Sequence, residues 1–149
     1  MSNVRVTFAL GLGADFVREE DLPEPAVLRQ DLREGGIDGA LIVSVGGREV
    51  LDERYWDRLD QALPRLIDGL EAVRETVEVT VELPDTRLEV ALSVAGDLVR
   101  VDLQERAFEA PHAALLTELR RCARRLALLL EDAFGDLPEA CAELEPYKR

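Results

Sequence analysis

Thr76-Val77-Glu78-Val79-Thr80-Val81-Glu82-Leu83 is the stretch on which the fold turns. Its apolar residues occupy every second position, with Thr and Glu between them, the period of a strand with one dry and one wet face. A sheet covered on both faces would lack such a polar side, so this strand belongs to an antiparallel sheet packed on one face. Pro84-Asp85 makes the next turn, Leu88, Val90, Leu92 and Val94 alternate again, Gly96-Asp97 turns the chain, and residues 98–103 return. Strands joined by such short turns read as an antiparallel meander.

Upstream, Val4, Val6, Phe8 and Leu10 alternate with Arg5, Thr7 and Ala9, another half-buried strand, ended by Gly11 and Gly13. Residues 11–25 are acidic, carry Pro23 and Pro25, and read as a surface loop. Residues 26–34 suit a short helix, with Leu28 and Leu32 four apart; a strand is the alternative. The apolar run 40–45, then Gly46-Gly47, then residues 48–51 predict a hairpin, because glycine supplies the positive φ of a type I′ turn. Asp52 reads as the N-cap of an amphipathic helix with Trp56, Leu59, Leu63, Leu66, Leu70 and Val73 on one stripe. Pro64 is expected to kink or break it. A second long helix starts near Pro111, buries Leu115, Leu119, Cys122, Leu126, Leu129 and Ala133, and closes at Gly135. Residues 136–149 are acidic with two prolines and predict a short helix at most, then a frayed tail. The expected architecture is α+β: a single domain over residues 1–149, with a largely antiparallel sheet of about six strands and two long helices packed on one face.

The chain carries 31 acidic against 18 basic residues, a net charge of −13 over 149 residues. The surplus is distributed, with 9 acidic and 5 basic residues in 1–50, 12 and 6 in 51–100, and 10 and 7 in 101–149. It therefore belongs to the folded surface, where it repels nucleic acid and anionic lipid and speeds association with basic partners. No apolar run approaches the ~20 residues of a membrane span. Residues 1–6 lack the order of a secretory signal, and Cys122 and Cys141 form no CxxC pair, so a reduced, cytoplasmic compartment is expected. Of the 18 basic residues 17 are arginine, a bias typical of high-GC bacterial genomes.

No motif points to catalysis or to a cofactor. In Gly11-Leu12-Gly13 the third glycine of a dinucleotide loop would fall on Phe16, among carboxylates that repel a pyrophosphate. His112 is the sole histidine, which excludes a multi-histidine metal site within one chain, and none of Ser2, Ser44 and Ser93 sits in a GxSxG elbow. Cys122 reads as core and Cys141 as exposed, without a base beside it. Asp52, Glu53, Asp57 and Asp60 read as a solvated helix face rather than a metal site.

Two segments remain as candidate sites. Arg120, Arg121, Arg124 and Arg125 form a basic island that could hold an anion or an acidic partner; a solvated face paired with Glu118, Glu131 and Asp132 is the simpler reading. In the other, Trp56 is in phase with Leu59 and Leu63 and is expected to anchor the helix, leaving Tyr55 exposed among carboxylates. Asp52, Glu53, Tyr55 and Asp57 are then the candidate partner-binding set, since tyrosine ringed by acids suits a hot spot against a basic protein.

Residues 47–57, followed by 59–71, resemble small, uncharacterised bacterial proteins encoded beside polymorphic toxins, the immunity proteins. The resemblance implies an inhibitor that binds and neutralises a cognate toxin; such proteins are diverse in fold, so it carries over no site residues. The expected function is a non-enzymatic, acidic protein-binding module that neutralises a basic toxin by direct binding, with no metal, cofactor, nucleic acid or membrane involved. The alternatives are a small-ligand binder or enzyme whose site assembles only in the fold, or a structural subunit of a larger assembly.

Overall fold

The computed structural model, which describes residues 3–33 and 35–149, divides the strands between two antiparallel sheets. The first holds β1 (Val4–Leu12), β2 (Asp15–Arg18), β3 (Asp38–Val45) and β4 (Arg48–Leu51) in the order β2-β1-β3-β4, with the short β5 (Asp57–Arg58) against the start of β3. The second is a meander of β6 (Glu78–Glu82), β7 (Glu89–Ala95), β8 (Leu98–Asp102) and β9 (Ala107–Pro111). A single helical turn, α1 (Pro25–Leu28), and two long helices, α2 (Leu59–Ala72) and α3 (His112–Phe134), complete the α+β framework.

The antiparallel α+β class is as the sequence implies, but the single sheet of six strands is not: α2 separates the two groups, and β4 and β6 pair only within their own sheets. Periodicity reports which face of a strand is dry, whereas edge pairing depends on contacts distant in sequence. In the second sheet Val81 lies opposite Val90, Leu92 opposite Val101, and Val101 opposite Phe108, all facing inward. Strand β9 has little signature in the sequence, because only Phe108 and Ala110 alternate there, and Pro111 ends this strand instead of opening the helix. The span 11–25 contains β2 and a 3-10 turn at Glu19–Asp21 rather than loop alone. Only one turn of the helix expected over 26–34 forms; its end at Glu34 lies outside the described residues, as does Ser2.

Helix α2 begins at Leu59, not after Asp52, because Asp52 caps a different element. Its Oδ1 accepts the Arg54 N–H at 3.0 Å and closes a 3-10 turn over Glu53–Tyr55, after which Trp56 is extended (φ −66°, ψ 151°). From Leu59 the helix runs unbroken through Pro64, against the expected break, with the proline ring buried. It presses on both sheets through glycines. A Cβ at Gly69 would come within 2.5 Å of Val81 Cγ2, and one at Gly39 in β3 within 2.9 Å of Leu59 Cδ2 and 2.5 Å of the Ala9 carbonyl. At its far end His112 Nε2 lies 2.7 Å from the Leu70 carbonyl, which can only accept, so Nε2 carries the proton and Nδ1 receives the Arg74 Nε–H at 3.4 Å. A carbonyl in the last turn of α2, where helical donors run out, is thus satisfied from the start of α3.

On α3 Cys122 and Leu126 of the expected stripe are fully buried, as is the flanking Leu130, whereas Leu129 is only half-buried; Gly135 ends the helix in the left-handed region (φ 82°) as read. The chain beyond it is packed rather than frayed. The 3-10 segment Glu139–Lys148 buries Leu144 and also Cys141, which the sequence places at the surface. Arg58 Nη2 donates to the Ala140 carbonyl while Arg58 Nε pairs with Asp60, a fully buried carboxylate that also accepts the Ile37 N–H at 3.0 Å. Among the described residues no helix is long and apolar enough to cross a membrane.

Gly69→Ala is expected to lower unfolding stability by about 1–3 kcal/mol, since its methyl group must displace Val81 from a packed core. Urea denaturation of the variant checks this; an unchanged midpoint would mean that α2 does not rest on the second sheet through this glycine.

Candidate functional site

The four residues 52, 53, 55 and 57 lie in a connector between β4 and α2, and their carboxylates have internal partners. Arg18 Nε meets Glu53 Oε2 at 2.8 Å and its Nη1 meets Glu49 Oε2 at 2.7 Å. The register explains the reach: Arg18, Ala9 and Ala40 share one face of the first sheet, and Arg18 extends across the two alanines. Hydrogen bonds from Arg18 hold both Glu49 and Glu53 below the usual glutamate pKa, against the opposing effect of desolvation. Asp52 is lowered likewise by its hydrogen bond from the Arg54 side chain.

Asp57 is buried, not part of an exposed acidic face. Its oxygens accept from Arg58 N (2.6 Å), Asp85 N (3.0 Å), Thr86 N (2.9 Å) and Thr86 Oγ1 (2.7 Å). Burial alone pushes its pKa up; the N–H donors of Thr86 and Asp85, together with the Thr86 hydroxyl, outweigh that and hold it below the usual aspartate value. Asp57 therefore fastens the turn between β6 and β7.

Tyr55 and Trp56 exchange the roles their spacing suggests. Tyr55 is half-buried and lines an apolar cavity of about 50 Å³ between the two sheets. Trp56 is 42% exposed, its ring tilted 40° to that of Phe16 with centroids 6.1 Å apart. Helical phase does not apply at position 56, because the helix starts three residues later. Phe16, the second member of this aromatic pair, carries no signal in the sequence; its pairing depends on the β1–β2 turn.

Trp56 stands between two clefts. One, of about 300 Å³, lies toward Gly11 and Phe16 of the β1–β2 hairpin. The other, of about 400 Å³, separates Trp56 from the tips of the β6–β7 and β8–β9 turns, with Tyr55, Leu83 and Leu103 in its wall. These two tips carry the non-glycine residues that adopt positive φ among the described residues, Arg87 at 60° and Gln104 at 76°. Elsewhere the chain meets the same demand with glycine, at Gly46, Gly47 and Gly96. Long polar side chains thus occupy strained positions at the rim of one cleft, a pattern that concentrates at functional sites.

The guanidinium groups of the basic island are each engaged within the chain. Arg120 pairs with Glu71 at 2.7 Å, Arg121 with Glu118 at 2.7 Å, and Arg124 Nε reaches the Lys148 carbonyl at 3.5 Å. Arg125 grips Glu19 with two nitrogens, at 2.8 and 3.2 Å, and donates to the Val6 carbonyl at 2.8 Å. Strand β2 covers β1 only from Ala9 to Leu12, so Arg125 blocks part of the edge left open beside Val6. Glu131 pairs with Lys148 rather than with the island. Burial pushes the Cys122 thiol up to about 12 and the Cys141 thiol up to about 11, far from the reactive thiolate range. Among the described residues no group of three or more His, Cys, Asp and Glu is placed to hold a metal ion. No protein-family model, curated protein or solved structure matches the chain.

Asp57→Ala strands the donors of residues 85 and 86 and is expected to cost about 1–3 kcal/mol at neutral pH. A carboxylate whose pKa is depressed on folding contributes stability above its unfolded value, 3.8, and loses it as the pH falls through the folded one. The gap between wild type and variant should therefore hold down to about pH 4 and close below it. Denaturation curves across this range check it; a gap that widens on acidification would contradict the assignment.

Proposed function

We propose that the chain is a non-enzymatic, acidic protein-binding module of the immunity type, which neutralises a basic toxin by direct binding. The observation that carries this reading is Trp56, a large aromatic ring left 42% exposed on Phe16 between two clefts. Interface energy concentrates in such residues, where an aromatic side chain can be desolvated within a surrounding rim of polar groups. The ring sits on a protein of net charge −13, which steers a basic partner toward it and speeds encounter.

The test uses the product of the neighbouring gene as the candidate toxin. Wild-type chain should bind it and protect cells that express it. Trp56→Ala should weaken binding by about 30-fold or more, the effect of losing a hot spot worth about 2 kcal/mol. Raising salt from about 0.05 to 0.5 M should slow the association rate, since charge steering is screened. An affinity untouched by Trp56→Ala, with an association rate indifferent to salt, would overturn the reading.

A further inference from the structure

The outer face of the second sheet is left open to solvent, with residues 78, 80, 82, 89, 100 and 109 exposed. Residues 81, 90, 92, 99, 101, 108 and 110 point inward and are buried. The register therefore sets Glu78, Thr80 and Glu82 of β6, Glu89, Ala91, Ser93 and Ala95 of β7, Leu98, Arg100 and Asp102 of β8, and Ala107, Glu109 and Pro111 of β9 on the opposite face, with the apolar Ala95, Leu98 and Pro111 at the end away from the β6–β7 tip. That is five carboxylates against one guanidinium. Glu82 lies directly opposite Glu89, a like-charge pair in a position where cross-strand neighbours normally stabilise one another.

Ion pairing leaves this face almost bare. Arg87 approaches Glu82 only at 3.9 Å and Arg100 approaches Asp102 only at 3.9 Å, while Glu78, Glu89 and Glu109 have no ion pair among the described residues. Down the central strand β7, Ala91 and Ser93 are small, so the carboxylates of the neighbouring strands stand above a shallow trough. The Glu82–Glu89 rung adjoins the β6–β7 tip and the Asp102–Ala107 rung adjoins the β8–β9 tip. The acidic end of the trough therefore runs into the strained residues Arg87 and Gln104, and across the cleft to Trp56.

We infer that this outer face is a docking surface for an Arg- and Lys-rich segment of a partner protein, continuous with the Trp56 cleft. The inference rests on the protein-binding reading and adds where the basic partner sits. Charge complementarity selects the occupant: carboxylates on adjacent strands, about 5 Å apart, accept a row of cations and reject anionic surfaces. A second copy of this chain is rejected for the same reason, because the face would meet its own negative charge. A cation placed between Glu82 and Glu89 would offset their mutual repulsion.

An octalysine peptide serves as the probe in an NMR titration of the labelled full chain at low salt. Shifts should concentrate on residues 78–82, 89–93 and 100–109 and spread toward residue 56. Glu82→Gln/Glu89→Gln should weaken peptide binding about fivefold, the sum of two exposed ion pairs, and raise the thermal midpoint by removing the like-charge rung. Glu139→Gln/Glu143→Gln, which changes net charge equally in an exposed segment elsewhere, should leave binding within about twofold. Shifts centred on residues 136–145, or equal losses in the two double variants, would overturn the docking surface. So would a lower thermal midpoint for Glu82→Gln/Glu89→Gln, since the carboxylates would then be holding the sheet. Peptide mapped to this face with no binding by the neighbouring gene's product would support the surface while rejecting the toxin-inhibitor reading.

Discussion

The carboxylate of Asp57 joins the two sheets, and the candidate site depends on that joint. Asp57 belongs to β5, which pairs with β3 of the first sheet, while its oxygens accept from the turn at residues 85 and 86 of the second. Burying an ionised group costs several kcal/mol unless its lone pairs are filled. Here four short hydrogen bonds converge on it, so the cost is met only when both sheets are in place. The same joint turns Trp56 outward. In extended chain successive side chains point to opposite sides, so an Asp57 directed inward to the β6–β7 turn leaves its neighbour directed to solvent. The tip that Asp57 holds is also the one that carries Arg87 to the rim of the cleft. One buried charge thus sets both the exposed ring and the wall opposite it.

Helix α2 makes the joint rigid along its length. Gly39 lets Leu59 sit close over β3, Gly69 lets the helix meet Val81 and Leu92 of the second sheet, and His112 closes its last turn. Close approach of this kind makes dispersion contacts dense and leaves little tolerance for an added methyl group. The pair Arg58–Asp60 extends the arrangement to the chain's end, because Arg58 reaches the Ala140 carbonyl beside the buried Cys141. Residues at 57, 58, 60 and 69, close together in sequence, therefore hold elements that are far apart in it.

What could be read from the sequence follows from the range of the interactions involved. The β6 to β8 strands, the Gly46-Gly47 hairpin and the apolar stripe of α3 are local patterns, set by pleat, turn chemistry and helical period, and each appears where the pattern puts it. Division into two sheets is not local: nothing in the alternation of Val79 and Val81 tells whether β6 meets β4 or remains an edge. The spacing of Trp56 with Leu59 and Leu63 does not fix its side, because Asp52 caps a 3-10 turn and the helical phase begins only at Leu59. The burial of Asp57 has no local signature, because its donors at 85 and 86 lie nearly thirty positions away. Phe16, Arg87 and Gln104 carried no signal, since their importance arises from where the turns meet in space.

The same distance dependence changes what the charge of −13 means. Counted along the chain the acidic surplus is even, yet the cations are not evenly available to it. Arg18 is committed to Glu49 and Glu53, Arg58 to Asp60, Arg120 to Glu71 and Arg125 to Glu19, all contacts that fasten one element to another. On the outer face of the second sheet, by contrast, Arg100 stands alone among Glu78, Glu82, Glu89, Asp102 and Glu109. Fastening contacts therefore remove positive charge from the pool that could neutralise the open sheet. The ratio of acidic to basic side chains on the strands of that face, five to one, therefore exceeds the 31 to 18 of the sequence as a whole.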